Sequence, residues 1–186
     1  MKTFIASLFL MAFSQGLMAQ DFNSLSRDER REIISSFLLN DPMQDDYMPK
    51  EYAWYDVDGD GRMELFLRNP AQTVAYAHPK RSGWTELARA DGNSQLEVAR
   101  NLIVVDGMAG YRNHYKQWVV LQDGIVMSDI FLHETQNEDT GDFVPQTMTY
   151  FGEEQTDFKP LLEIIAEYPD TKPVYDSFNW ITFPKQ

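Results

Sequence analysis

The stretch Gln117-Trp118-Val119-Val120-Leu121-Gln122-Asp123-Gly124-Ile125-Val126-Met127-Ser128-Asp129-Ile130-Phe131-Leu132 decides the fold class. Two runs rich in β-branched and aromatic residues flank Asp-Gly, a pair that favours the tight turns joining antiparallel strands. The reading is a β-hairpin, Gln117–Leu121 against Ile125–Leu132.

The same grammar extends outward. Asp-Gly recurs at Asp91-Gly92 and Asp106-Gly107, and short runs rich in Val, Ile, Tyr, Trp and Phe lie between the turn signals. Strands are expected at 52–55, 63–68, 73–77, 84–88, 95–99, 101–105, 111–121 and 146–151, with a last one over about 175–183. Residues 24–39 predict a helix: Ser26-Arg27-Asp28-Glu29 fits a capping box, and Ile33, Ile34, Phe37 and Leu38 form an apolar stripe that Asn40-Asp41-Pro42 ends. A second helix is expected over 157–168, with Asp157 as cap, Pro160 in the first turn and Leu161, Leu162, Ile164, Ile165 and Tyr168 on the buried face. The expected fold is α+β: an antiparallel β meander, as a sheet or partly open barrel, flanked by an N-terminal and a C-terminal helix.

Lys2, the apolar run Phe4–Phe13 and the small residue Ala19 form a secretory signal pattern, with cleavage expected between Ala19 and Gln20. The apolar run is too short to span a bilayer. Residues 20–186 then read as one domain, exported to the periplasm, the cell surface or the medium. The chain has no cysteine, which excludes disulfides and thiol catalysis, so an exported fold needs another staple, for which a bound ion is suited. A net charge of −13 repels phosphate backbones and anionic lipid, so nucleic acid and membrane insertion are not expected.

One run carries specific chemistry. In Asp56-Val57-Asp58-Gly59-Asp60-Gly61-Arg62-Met63-Glu64, three aspartates alternate, a glycine follows the third, and a glutamate follows three residues later. Ca²⁺ takes hard oxygen ligands in irregular geometry, and a loop that turns at glycine aims several carboxylates at one point. Asp56, Asp58 and Asp60 occupy loop positions one, three and five, Arg62 position seven and Glu64 position nine. The run resembles the calcium loop of EF-hands, dockerins and the FG-GAP or VCBS repeats, over about fifteen residues. Leu67 stands where an EF-hand has its bidentate glutamate, and Met63–Arg68 alternates like a strand. The resemblance is therefore to the strand–loop–strand form. It implies side-chain ligation by Asp56, Asp58, Asp60 and Glu64, a backbone carbonyl from Arg62, and modest affinity, roughly 10⁻⁴–10⁻³ M.

No catalytic signature accompanies this loop. His78, His114 and His133 lie in no metal-binding spacing, the serines sit in no nucleophile elbow, and there is no phosphate loop or dinucleotide fingerprint. The aromatics Trp54, Trp84, Tyr111, Tyr115, Trp118 and Trp180 would serve either a β core or a platform for sugar rings. The functional expectation is an exported calcium-binding module with a glycan or protein partner. The alternatives are a hydrolase assembled from distant residues and an acidic inhibitor of a basic secreted enzyme that presents loop 134–142.

Overall fold

The structure, a computed structural model, describes residues 21–38, 48–78 and 83–184. The signal segment and the Asn40-Asp41-Pro42 stop lie outside the described residues. Helix α1 (Arg27–Phe37) opens with the expected capping box: Ser26 Oγ accepts from Glu29 N, and Glu29 accepts from Ser26 N. Strands follow as β1 (Glu51–Tyr55), β2 (Glu64–Arg68), β3 (Gln72–Ala77), β4 (Thr85–Asp91), β5 (Ser94–Ala99), β6 (Leu102–Met108), β7 (Asn113–Gln122), β8 (Ile125–Gln136), β9 (Phe143–Tyr150) and β10 (Glu153–Glu154). Then come helix α2 (Lys159–Ala166), β11 (Lys172–Pro173), the short helix α3 (Val174–Ser177) and β12 (Ile181–Thr182).

The antiparallel, mainly β architecture is as expected, but it is divided into two open sheets. The first has the order β12-β1-β2-β3-β4, the second β10-β9-β8-β7-β6-β5-β11. Each contains a meander, and the turn at Gly92-Asn93 carries the chain from one sheet to the other. Asp91-Gly92 therefore joins sheets rather than neighbouring strands. The expected last strand over 175–183 is instead helix α3 followed by the two-residue β12, and these late elements supply an edge to each sheet.

Alternation explains the layering. In β2, Phe66 faces the cluster between the sheets, with Ala53, Ala75, Val98, Ile103, Val119 and Leu121, while Leu65 and Leu67 face α1 and pack with Ile33, Phe37, Val74 and Tyr76. In the second sheet, Ile103 and Val105 face inward, while Leu102, Val104 and Trp118 meet Leu161 of α2. The result is four layers: helix, sheet, sheet, helix. A strand covered on both faces reads as a continuous apolar run, which is what Leu65-Phe66-Leu67 is.

Two Asp-Gly pairs take different places in the fold. Gln122 pairs with Ile125 across Asp123-Gly124, whose φ values are 55° and 69°, the left-handed pair of a type I′ turn. Asp106-Gly107, by contrast, lies inside β6. Ser94 Cβ and the Tyr115 ring would stand 2.3 and 2.8 Å from a Cβ at position 107, so that glycine answers to close packing. β6 runs on through this pair to Met108, and the turn to β7 follows it; the turn between β5 and β6 is Arg100-Asn101, at the expected break, where Asn101 takes φ 64°.

Candidate metal centre

The β1–β2 hairpin closes its ladder at Tyr55 and Glu64, and the acidic run forms the loop between them. Gly59 and Gly61 adopt φ of 73° and 84°, a region where a side chain would be strained. These turns fold the loop back on its own carboxylates. Asp56 Oδ1 accepts from Gly59 N at 2.8 Å and its Oδ2 from Gly61 N at 3.0 Å. Asp58 Oδ1 accepts from Asp60 N at 3.2 Å. Val57 is buried in the cluster between the sheets; its carbonyl accepts from Asn101 N and its N–H donates to Glu64 Oε2 at 2.8 Å.

Carboxylate oxygens of Asp56, Asp58 and Glu64 lie within 4.8 Å of one another. Glu64 is 2% exposed and Asp58 9%. Burial pushes the Glu64 carboxyl up to about 7, helped by the charges of Asp58 and Asp56 and opposed by the Val57 N–H. Such a group is costly to ionise unless a cation neutralises the cluster.

Asp60 does not join that group. Its Oδ1 accepts from Arg62 N at 2.7 Å and its Oδ2 from Arg62 Nε at 2.8 Å and from Arg62 Nη2. Arg62 also donates from Nη2 to the Asp123 carbonyl at 2.6 Å. Asp58 Oδ2 accepts from Gly124 N at 2.7 Å. Two residues of the loop are thereby tied to the β7–β8 turn of the other sheet. Of the sequence-derived ligand set, the structure gathers Asp56, Asp58 and Glu64, and turns Asp60 and Arg62 toward each other.

The other sequence candidates are dispersed. Trp118 is buried under α2, Trp180 lies over Arg68 at 4.0 Å, Tyr115 stacks on Phe131, and Tyr111 is exposed beside Arg112. Trp54 and Trp84 do meet, with ring centroids 5.8 Å apart. Of loop 134–142, Glu134–Gln136 belong to β8, and the remainder closes by hydrogen bonds from Asn137 N to Asp142 O and from Gly141 N to Asn137 O.

A second charged cluster was invisible to spacing. His114 sits between Glu134, 2.9 Å from Nδ1, and Asp106, 2.8 Å from Nε2, while Lys116 reaches Asp106 at 2.7 Å. The β6–β7 and β7–β8 registers bring these residues together, and only knowledge of that register would have found them. Both ring nitrogens are engaged, so the imidazole has none free for a substrate. Burial opposes the charged ring, but hydrogen bonds to Asp106 and Glu134 outweigh it and hold the pKa above its ordinary 6.5. A raised folded pKa gives stability that is complete below the unfolded value and lost as pH rises through the folded one. The urea midpoint is therefore expected to fall between about pH 6 and pH 9 by a greater amount in wild type than in His114→Gln. Equal slopes in both proteins would contradict this account.

The chain matches no protein-family model, no curated protein and no solved structure. Among the described residues, no helix is long and apolar enough to cross a membrane.

Proposed function

We propose that the protein is an exported calcium-binding module whose β1–β2 loop holds one structural Ca²⁺ and which recognises a glycan or protein partner. The observation that carries this reading is the convergence of Asp56, Asp58 and Glu64 within 4.8 Å, in a run with calcium-loop spacing. Three carboxylates so close repel one another, and a divalent ion removes that repulsion. Asp60 and the Arg62 carbonyl complete the ligand set that the resemblance implies. For Asp60 to ligate, its carboxylate exchanges the Arg62 guanidinium for the ion.

Hard oxygen donors suit Ca²⁺, and Mg²⁺ fits a flexible loop less well because it demands tight octahedral geometry. Modest affinity suits an extracellular setting, where calcium is rarely scarce. The loop's bonds to Asp123 and Gly124 give the ion a structural role, since ordering the loop also fastens one sheet to the other. Calorimetric titration of chelator-treated residues 20–186 tests the assignment. One Ca²⁺ per chain with Kd of roughly 10⁻⁴–10⁻³ M is expected, with weaker Mg²⁺ binding. No heat from either ion removes the assignment.

A further inference from the structure

Beside the acidic loop lies a pocket of about 290 Å³, walled by Trp54 of β1, Arg62 and Glu64 of the loop region, His78 and Trp84 flanking the β3–β4 connection, and Glu29 of α1. We infer that this pocket binds a single pyranose ring, free or as the terminal residue of a glycan. The inference rests on the proposed function insofar as it assigns the partner's site and class.

Three observations select this occupant. The first is shape. The two indole planes meet at 57° with centroids 5.8 Å apart, and His78 packs on Trp84 at 5.1 Å. Such an angled aromatic wall suits the C–H face of a sugar, as an amphipathic ring offers apolar area with a polar edge. The volume falls just below the range for drug-sized pockets, about 300–1,000 Å³, which admits one ring rather than a chain of them.

The second is charge. Glu29 and Glu64 stand on the walls, and the Arg62 guanidinium beside them is already paired with Asp60, so an anion there meets carboxylates. The Glu29 carboxyl is held below its ordinary value, by the Ser26 hydroxyl and N–H first and by Trp84 and His78 after, so it is an ionised acceptor. A neutral polyol escapes the charge penalty and uses both donors and acceptors.

The third is an imbalance of donors. Trp54 Nε1 and Arg62 Nη1 are buried and lack an acceptor among the described residues. Most buried polar groups are satisfied; neither of these atoms has accessible surface, so a hydroxyl-bearing occupant supplies their acceptors only as the walls yield to it.

Saturation-transfer NMR on residues 20–186, with and without Ca²⁺, tests the inference with the methyl pyranosides of glucose, galactose, mannose and N-acetylglucosamine, and with tetramethylammonium and acetate as charged probes. Saturable transfer to the ring C–H protons of at least one glycoside is expected, together with quenching or enhancement of tryptophan fluorescence. Trp84→Ala should weaken that binding by roughly tenfold or more, the scale of a lost central aromatic contact. Trp84→Phe, which keeps a ring, serves if the alanine variant does not fold. Silence from every glycoside, binding unchanged in both Trp84 variants, or a response confined to a charged probe overturns the inference. A protein that binds Ca²⁺ and no glycoside loses the pocket alone. One that binds a glycoside but no Ca²⁺ loses the metal centre alone.

Discussion

Glu64→Gln is expected to raise the melting temperature of the calcium-free protein while abolishing its response to Ca²⁺. Wild type should gain about 1.4–2.7 kcal/mol from about 10 mM Ca²⁺ by mass action at the affinity proposed. For a chain of this size that is a rise of about 3–11 °C. Glutamine keeps an acceptor for the Val57 N–H and brings an amide that the Asp56 and Asp58 carboxylates can accept. It also deletes a buried carboxyl whose pKa of about 7 marks the cost of ionising it. That cost is on the order of 1–3 kcal/mol above neutral pH, so the calcium-free variant should melt several degrees higher. Asp58→Ala should lose the calcium response and also melt lower without the ion, because Gly124 N loses its acceptor. Thermal melts of the three proteins, in chelator and in Ca²⁺, decide the matter. A full calcium response in Glu64→Gln would remove that carboxylate from the site.

Phe66→Ala is the second large effect, and it concerns the joint between the sheets. Phe66 is fully buried in the middle strand of the first sheet, and its ring meets Phe178 edge-on at 4.8 Å. Phe178 in turn stacks on Tyr55 at 4.6 Å, at the mouth of the acidic loop. Truncating such a phenylalanine costs about 3–5 kcal/mol, through lost transfer energy and the cavity left behind. The melting temperature should fall by about 6 °C or more. Tyr111→Ala is the matching control: its ring is 88% exposed, and a change within about 0.5 kcal/mol is expected. Urea unfolding of the pair measures both. A small loss for Phe66→Ala would mean that the sheets repack around the gap.

What was legible in the chain is what local chemistry determines. The capping box at Ser26 and the left-handed turn at Asp123-Gly124 each satisfy backbone groups within a few residues, so neighbours in sequence suffice to read them. The division into two sheets was not legible, because period-two alternation is the same whichever sheet a strand joins. Asp106-Gly107 reads as a turn from its residues, yet the demand on Gly107 comes from Ser94 and Tyr115 on neighbouring strands. The turn at Arg100-Asn101 falls at the break expected between 95–99 and 101–105, and asparagine tolerates the left-handed region it takes there. For the candidate site, spacing brought out Asp56, Asp58 and Glu64. It did not reveal that Asp60 would meet Arg62 two residues away, or that Gly124 would reach Asp58 from another sheet. The aromatic pocket drew its walls from α1, β1 and the β3–β4 connection, a combination that no single window contains.

The two late edge strands bear on how such a chain is made. Residue 51 pairs with residue 182, and residue 98 with residue 172. A polypeptide emerging from the ribosome one residue at a time thus holds both sheets open on one side until almost all of it has appeared. Long-range pairing of this kind slows folding. Until these late pairs form, β1 and β5 each present a row of unpaired backbone groups, a template on which another copy of the chain can pair.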